Sequence, residues 1–569
     1  MAPEPKRLVT REEAALREIG YTQVSRGLAI ALVGIFLATI AAVPLAQVAY
    51  ETGGWVSGDR PTPWPQALDV FQAVPHAMAA ADMGESDQPL VGGIFDLNRA
   101  LADELWLWQR SLKQQSVLVE TVVPVANEVL TGYLGAGSEE VYVGREGWLF
   151  YKPDVDYVTG RGFLEEGQLA MRRLQGVRAD PRPAILDLNR QLQARGITLI
   201  VMPAPVKPMI YPEALSSAYS ADGPVLQNPS YTQFKADLER QGVLVFDVAE
   251  TLRTSRAGNG RPWFLRTDTH WRPEAVERSA KLLMQFIEER APLPNARAVP
   301  YRTEPVRKTA QGDLATMLRL PRDMDPFGME TVTLQEVMTP AMGSWRPSRS
   351  ADVLVLGDSF SNIYSLSPMG WGESAGFVER LSAAMRRPVD AILRNNGEGH
   401  AARETLSHEL ARGRDRLAGK RVVVWEFAVR ELAFGDWCLV DLTRGQAPQH
   451  RFFVPGRGTE VTVTGTVEAV SVVPRPGRAP YKHHIMAVHL AGLNIPLTGN
   501  EMREALVYLW SMRSNVLTPA ARYRPGDQVT VRLRPWSDVE NEYEAINRSD
   551  LEDEAVHLQE PCWGEPITR

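Results

Sequence analysis

Three residues of this chain have the chemistry of a serine nucleophile with its base. Ser359 follows an apolar run in a Gly-Asp-Ser turn, and Asp268 and His270 lie two positions apart upstream. A serine hydroxyl is a weak nucleophile at neutral pH, so it needs a general base such as His270. A carboxylate such as Asp268 then fixes the tautomer of that base and stabilises its positive charge. The residues predict acyl transfer through an ester of Ser359.

Each motif is weak when taken alone. A Gly-Asp-Ser turn is common where a helix starts after a strand, and an isolated Asp-x-His is equally well explained as a hydrogen-bonded pair. Whether they form one site therefore depends on the strands and helices that position them.

Short, β-branched apolar runs indicate strands buried on both faces. They lie at 197–202, 243–247, 353–356, 389–393 and 421–427. Helical periodicity fills the intervals at 183–195, 231–241, 273–291 and 375–386. This alternation predicts an α/β fold with a mostly parallel sheet and flanking helices. Ligands of such sheets bind beyond the carboxyl ends of the strands, where Ser359 is expected.

Length and charge narrow the class of protein. At 569 residues with 44% apolar content, the chain is expected to fold into two or three domains. A net charge of -7 without a Lys/Arg block argues against a nucleic-acid-binding protein, because that binding needs a concentrated basic surface.

The segment 27–50 has no charged residue, and as a helix it would be about 36 Å long, enough for a hydrocarbon core of about 30 Å. Basic residues precede it, which predicts a cytoplasmic tail, an uncleaved inner-membrane anchor and a periplasmic body. A cleaved signal peptide is the alternative, although its apolar core is shorter, roughly 7 to 15 residues.

The remaining segments complete the predicted domain plan. A leucine- and valine-rich helical pattern follows a Pro-rich spacer, and period-two alternation around Val463 and Val531 indicates a separate β-rich module after Cys438. The plan is a tail at 1–26, an anchor at 27–50, a helical segment at 51–140, a catalytic domain at 141–437 and a β-rich domain at 438–569.

The cysteines and histidines are the candidates for a disulfide and for a metal site. In an oxidising compartment Cys438 and Cys562 are expected to form a disulfide, with two separate thiols as the alternative. His483, His484 and His489 are interpreted as surface histidines, so no metal site is predicted.

The wider context resembles a known family. Over roughly residues 140–435 the chain is similar to the AlgX/AlgJ-type alginate O-acetyltransferases. The motifs that carry the resemblance are Val143 to Tyr151, Pro203 to Lys207, Tyr211 to Glu213, Thr267 to Trp271, Gly357 to Phe360, Val424 to Phe427 and Arg430 to Leu432.

This resemblance implies an SGNH-hydrolase-like fold in which the Asp-x-His element precedes the serine, the reverse of ordinary SGNH esterases. It implies Ser359 as nucleophile, His270 as base and Asp268 as orienting carboxylate. It also implies acetylation of an exopolysaccharide in the periplasm, with acetyl groups supplied by a membrane-bound O-acyltransferase partner and no cofactor.

Residues around the nucleophile have weaker assignments. The backbone N–H of Ser359 and the segment Asn395, Asn396 and Gly397 are expected to stabilise the oxyanion, although a plain loop explains Asn-Asn-Gly equally well. Lys207 and Tyr211 are expected to line a glycan groove and Trp271 to stack on a sugar. The alternatives are a solvated charge for the lysine and a core position for the tryptophan.

Two other functions stay open at this point. An esterase or deacetylase would use the same three residues with water as acceptor, and a polysaccharide-binding scaffold would have lost catalysis. The β-rich module is either carbohydrate-binding, with Trp510, Trp536 and Trp563 as stacking surfaces, or it uses these aromatics as core.

Overall fold

The structure is a computed structural model. It describes residues 25–56 and most of the chain from 116 on, with isolated residues between. Gaps from 116 on fall at 256–259, 322–323, 325, 342, 366–368, 396–399, 412, 446–451, 475–480, 496–503, 524–525, 552, 554–555, 557 and 568–569. The chain divides into two compact units, Met1–Val122 and Val123–Arg569.

Helices and strands alternate through the first part of the second unit. The strands are β1 Val141–Val143, β2 Leu149–Tyr151, β3 Thr198–Ala204, β4 Leu244–Val245, β5 Arg302–Ala310, β6 Glu330–Met338, β7 Val353–Gly357, β8 Asp390–Leu393, β9 Val422–Ala428, β10 Val461–Val470, β11 His484–Ala491, β12 Ala505–Arg513, β13 Val516–Leu517, β14 Gln528–Pro535, β15 Arg548–Ser549 and β16 Pro561–Pro566. The helices are α1 Arg26–Val56, α2 Val117–Asn127, α3 Lys152–Thr159, α4 Glu166–Leu174, α5 Pro181–Gln193, α6 Lys207–Ile210, α7 Pro212–Leu215, α8 Tyr231–Arg240, α9 Ala249–Thr254, α10 Pro273–Arg290, α11 Asp313–Met317, α12 Ser359–Asn362, α13 Phe377–Met385, α14 Ala401–Ala411, α15 Glu431–Phe434 and α16 Glu540–Tyr543. The described residues also form a π-helix, Glu128–Tyr133, and two 3₁₀ helices, Pro519–Arg522 and Trp536–Asp538.

A parallel sheet forms the centre of the catalytic domain, in the order β4-β3-β9-β7-β8. Every residue of β7 and β9 is buried, because helices cover both faces of the sheet. The predicted α/β architecture is confirmed. Each of the five apolar runs forms a strand within about three residues of its predicted bounds. The carboxyl ends of β7, β9 and β3 lie side by side at one edge.

The C-terminal module is a closed five-stranded barrel. Its strands follow the cyclic order β10-β11-β12-β16-β14, which closes through β14 and β10. Only the β12–β16 pair among these is parallel, and this arrangement is that of an OB-fold barrel. The predicted β-rich module is confirmed, and its interior contains the inward-facing valines of the alternating pattern.

The aromatic side chains of the barrel are packed together rather than spread as a binding surface. Trp536 and Trp563 are buried, and the rings of Trp510 and Trp563 lie 5.7 Å apart at nearly right angles. These tryptophans are therefore core residues of the barrel and not a stacking surface for carbohydrate.

The predicted transmembrane anchor is not supported by the structure. Helix α1 covers residues 27–50 and contains Pro44. Among the described residues, no helix proved both long enough and apolar enough to cross a bilayer. Residues 1–24 of the predicted tail and most of the predicted helical segment 51–140 lie outside the described residues.

The predicted disulfide is wrong, because both cysteines are free thiols. Cys562 lies in the barrel core with its Sγ donating to the carbonyl of Phe453, whereas Cys438 donates to Glu404 of the catalytic domain. The surface assignment of His484 is also wrong: its two ring nitrogens are buried against the hydroxyls of Ser511 and Ser549.

Candidate active site

Ser359 is held at the carboxyl end of β7 by a tight strand-to-helix turn. Asp358 caps α12, with one carboxylate oxygen accepting from the N–H of Phe360 at 2.7 Å. The other oxygen accepts from the N–H of Ala428 at the end of β9, also at 2.7 Å. This carboxylate therefore fixes the serine turn to the neighbouring strand, and Ser359 is 4% exposed.

Gly357 is required where the strand turns into the helix. A Cβ there would lie 2.8 Å from Ser361 Oγ and 3.0 Å from Glu426 Oε2. The Glu426 carboxylate accepts hydrogen bonds from the Ser361 hydroxyl and the Asp358 N–H. Burial and the nearby Asp358 charge raise the pKa of Glu426 well above its usual range.

Asp268 and His270 occupy a narrow loop closed by a bridge between Phe264 and Trp271. Glu330 stabilises the loop by accepting from both the N–H and the hydroxyl of Thr267 at 2.8 Å. The loop is anchored on both sides, so its side chains have defined positions.

The two side chains form a buried hydrogen-bonded pair. His270 Nδ1 lies 2.7 Å from Asp268 Oδ1, which also accepts the His270 N–H. Asp268 Oδ2 accepts from Trp371 Nε1 at 2.9 Å and from the Asp313 N–H at 3.0 Å. With Nδ1 occupied by Asp268, the other ring nitrogen, Nε2, is the one placed to act as a base; it is buried and has no partner among the described residues.

The pKa values of Asp268 and His270 are shifted in opposite directions. Burial alone would raise the pKa of Asp268, but the hydrogen bond and charge of His270 outweigh it and lower that pKa to about 2. Burial alone would lower the pKa of His270, but the Asp268 hydrogen bond and carboxylate charges outweigh it, so that pKa is raised. Asp268 is therefore ionised at neutral pH and favours the protonated imidazole.

Aromatic contacts join the Asp-x-His loop to the serine helix. The ring of His270 lies 5.1 Å from that of Phe360, the residue after Ser359. Trp271 Nε1 donates to the Phe360 carbonyl at 2.9 Å, and the Tyr364 hydroxyl donates to the Trp271 carbonyl at 2.7 Å. These contacts bring the three predicted residues to one place. A hydrogen bond from Ser359 to His270 is not formed, since Nε2 has no partner.

Asp313 is a buried carboxylate at this site that the sequence did not indicate. Its Oδ1 accepts the Thr269 N–H at 2.7 Å, and its Oδ2 lies 3.7 Å from His270 Nδ1. Burial and the charge of Asp268 raise the pKa of Asp313 to about 7. It lies 43 residues after His270, so no short spacing connects the two.

Asp268, His270 and Asp313 have ligand atoms within 4.8 Å of one another, a spacing that suits a metal ion. Each oxygen of Asp268 already accepts two N–H groups, and His270 Nδ1 is bound to one of them. Asp268 and His270 Nδ1 are thus committed to each other and to N–H groups, which leaves Asp313 Oδ2 as the one carboxylate oxygen of the set without a hydrogen bond among the described residues, and a single free carboxylate oxygen does not make a resident metal site.

The three residues predicted to line a glycan groove are buried in the protein. Lys207 is fully buried, and its ammonium donates to the carbonyls of Leu149 and Arg266 instead of facing a glycan or solvent. The Tyr211 hydroxyl accepts the Trp263 N–H, and Trp271 is a core residue with no exposed surface. These three assignments are corrected, because each polar atom serves the backbone.

Only part of the predicted oxyanion segment is described. Asn395 is 9% exposed, and its amide nitrogen lies within hydrogen-bond distance of Met369 Sδ and the Ala545 carbonyl. Its amide oxygen accepts from Asn362. Asn396 and Gly397 lie outside the described residues.

Comparison with known proteins identifies a family for the domain that contains these residues. Residues 141–429, about half of the chain, match the family described as the SGNH hydrolase-like domain of acetyltransferase AlgX. The chain is similar to the probable alginate O-acetylase AlgJ of Pseudomonas aeruginosa, 29% identical over 304 residues that cover 52% of this chain and 71% of the relative. The corresponding protein of Pseudomonas fluorescens is 27% identical over 304 residues, covering 52% and 69%.

Two solved structures also match. The O-acetyltransferase domain of Pseudomonas putida AlgJ covers 52% of this chain and 93% of that chain, with 24% identity and a TM-score of 0.39. Pseudomonas aeruginosa AlgX covers 73% and 95%, with 14% identity and a TM-score of 0.38.

Proposed function

Because the chain belongs to the SGNH hydrolase-like acetyltransferase family of AlgX, we propose that it transfers acetyl groups to hydroxyls of an exported polysaccharide through an acetyl ester of Ser359. The family makes the chain an acyltransferase, and the relatives named alginate O-acetylase point to a polysaccharide as acceptor. The proposal rests on the buried Asp268–His270 pair, whose Nε2 has no partner, packed against the helix that begins at Ser359.

The mechanism has two matched half-reactions. In the first, Ser359 Oγ attacks the acetyl carbonyl of the donor while His270 Nε2 takes the hydroxyl proton, and that proton leaves with the donor's departing group. In the second, a sugar hydroxyl attacks the acetyl-serine, gives its proton to His270 and receives the acetyl group. The proton then returns to Ser359. Asp268 stabilises the imidazolium in both steps.

The donor and the cellular location are further proposals. A membrane-bound O-acyltransferase is the partner proposed to supply the acetyl group. A soluble acyl donor made inside the cell would have to cross the membrane to reach an exported polymer, and a membrane protein can pass the acetyl group across it. The catalytic domain is proposed to act in the periplasm at the inner membrane. That location rests on the sequence alone, in which basic residues precede the uncharged stretch 27–50.

The decisive test uses the Ser359→Ala variant with an acetyl ester as donor and oligosaccharides as acceptors. The wild-type protein is expected to carry one acetyl group on Ser359 and to pass it to the sugar, both seen by mass spectrometry. The variant should lose at least about 10³-fold in rate, as removal of a triad nucleophile does elsewhere.

Ser350→Ala, which changes an exposed serine, is the matched control and should retain full activity. Acetate as the sole product in every wild-type reaction would replace the transferase with an esterase. Polymer acetylation in cells that is unchanged by Ser359→Ala would leave only a scaffold role.

A further inference from the structure

Attack of a serine on an acetyl group places a negative charge on the carbonyl oxygen, and preorganised donors must stabilise that charge. The backbone N–H of Ser359 is the expected first donor. The predicted side-chain donor is already used elsewhere, because the amide nitrogen of Asn395 lies within hydrogen-bond distance of Met369 Sδ and the Ala545 carbonyl. A second donor is therefore expected from another residue beside Ser359.

Arg430 lies at the same edge of the sheet, two residues beyond the end of β9. This end of β9 is joined to the serine turn, since the Ala428 N–H donates to the Asp358 carboxylate at 2.7 Å. The guanidinium carbon of Arg430 lies 5.9 Å from the ring centre of Phe360. Both residues that flank Ser359 thus contact this end of β9, Asp358 through the backbone and Phe360 through the guanidinium.

The neighbours of Arg430 hold its side chain in place. Nη1 donates to Asp154 Oδ1 at 2.9 Å, and the Asp154 side chain has no exposed surface. The ring centre of Tyr151 lies 5.2 Å from the guanidinium carbon, on the end of β2. Burial alone would lower the pKa of Arg430, but the charges of Asp154 and Glu431 outweigh it and raise that pKa. The cation is therefore preorganised and stays protonated at every pH at which the protein is folded.

One nitrogen of this guanidinium is left for a ligand. Nη2 makes no hydrogen bond among the described residues, and the side chain is 12% exposed. Arg394 and Arg403 also have unpaired nitrogens, but protein atoms enclose theirs completely. Nη2 of Arg430 is not enclosed in this way. Among these three arginines, Arg430 is the one that can donate to a substrate atom beside Ser359.

We propose that Arg430 is a catalytic residue, with Nη2 donating a hydrogen bond to the acetyl carbonyl oxygen as that oxygen becomes an oxyanion. Ser359 Oγ bonds to the acetyl carbon, the π electrons of the carbonyl move onto its oxygen, and His270 Nε2 takes the hydroxyl proton. The oxyanion then collapses, the bond to the departing group of the donor breaks, and that group receives the proton. Arg430 keeps its own protons throughout and stabilises the charge in both half-reactions.

This inference rests on the proposed acetyl-serine mechanism, and its test must separate loss of the guanidinium from loss of the fold. Arg430→Gln alone would leave Asp154 as an unpaired buried carboxylate, so the double variant Arg430→Gln/Asp154→Asn replaces the ion pair with a neutral pair. With a small neutral acetyl ester, its kcat should fall about 10²–10³-fold, as after removal of one oxyanion donor, while KM changes less than about twofold. Asp154→Asn alone keeps the guanidinium and should lose much less. Denaturant unfolding checks that each variant is folded.

Arg430→Lys decides the question if the double variant does not fold, because lysine keeps a positive charge beside Asp154. A lysine lacks the second donor nitrogen of the guanidinium, so kcat should still fall about tenfold at an unchanged KM. Arg290→Gln is the matched control, since Arg290 is an exposed arginine whose guanidinium carbon lies 6.0 Å from the ring centre of Phe286 on α10. It should leave kcat and KM unchanged.

Inhibition by a small alkylboronic acid gives a readout that a merely structural role would not change. The boron bonds to Ser359 Oγ, and the tetrahedral adduct is an anion that resembles the oxyanion intermediate. Its inhibition constant should rise in the double variant along with the loss of kcat, whereas the KM of the neutral ester stays the same.

Wild-type kcat and boronic acid inhibition in a folded double variant, or wild-type kcat in Arg430→Lys, would overturn the inference. A double variant that keeps both values and raises only the KM of an acidic acceptor would also overturn it, because Arg430 would then bind the acceptor and not the oxyanion. A wild-type protein that forms no acetyl-serine would instead refute the proposed function, so the two failures are distinguishable.

Discussion

Two carboxylates lie close to His270 Nδ1, and their charges set the pH range in which the ring can act as a base. Asp268 makes the direct hydrogen bond, and Asp313 lies 3.7 Å from the same nitrogen. Both favour the protonated ring, so the pKa of His270 is raised above 6.5 despite burial. The base must be neutral to accept a proton, and its activity is therefore lost as pH falls through the raised pKa.

The acid limb of kcat/KM for a small acetyl ester is expected above pH 6.5, and Asp313→Asn should move it to lower pH. The amide removes the negative charge and keeps an oxygen for the Thr269 N–H, so the loop geometry is preserved. A profile from pH 5 to 9 measures the shift. Glu504→Gln, beside His489 in the barrel, is the control. A limb that does not move would show that Asp313 has no electrostatic effect on the base.

Lys207 shows how residue type alone can mislead. A lysine directly after a strand predicts a groove-lining or solvated charge, yet Lys207 is fully buried and donates to two backbone carbonyls. Burial lowers the pKa of Lys207 to about 8, although nearby carboxylates oppose this. The sequence could not indicate the carbonyls, because Leu149 and Arg266 approach it only in the folded chain.

At the scale of elements, the turn from β7 into α12 is the most constrained part of the site. Gly357→Ala is expected to destabilise the protein by about 1–3 kcal/mol, because its Cβ would lie 2.8 Å from Ser361 Oγ. The loss of activity should exceed what the larger unfolded fraction explains, because the backbone movement that makes room for the Cβ displaces Ser359. Denaturant unfolding and ester kinetics measure the two effects.

Gly167→Ala is the matched control for that substitution. Gly167 is exposed within α4, and a Cβ there meets no atom within 4 Å. Alanine should therefore stabilise the helix by about 0.5–1 kcal/mol and leave activity unchanged. Equal effects of the two substitutions would contradict a special role for the turn.

Strands and helices could be predicted where a local sequence pattern was enough to determine them. The continuous apolar runs gave the strands because burial on both faces leaves no polar positions, and Pro273 marked the start of α10 because proline is tolerated in a first turn. Asp313 was missed because its contact with the site joins segments that lie far apart in sequence. No periodicity carries that information.

At the scale of the whole molecule, buried charges join the catalytic domain to the barrel. Arg394, directly after β8, has a side chain only 4% exposed and forms an ion pair with Asp550 of the barrel at 3.2 Å. Arg548 shares the same carboxylate at 3.1 Å. Asp550 thus keeps two guanidinium groups together that would otherwise repel each other, and the interface depends on it.

Asp550→Ala is therefore expected to destabilise the whole of residues 123–569 by about 2 kcal/mol. Removing one partner of a buried pair costs about 3–5 kcal/mol, and the carboxylate is 26% exposed, which reduces the loss. The two domains share this interface, so they should unfold in one transition with a lower midpoint, followed by calorimetry and by tryptophan fluorescence. Glu565→Ala, which breaks the exposed pair with Arg534 inside the barrel, should cost less than about 1 kcal/mol. A barrel transition that shifts alone in Asp550→Ala would contradict this and show that the two domains are independently stable.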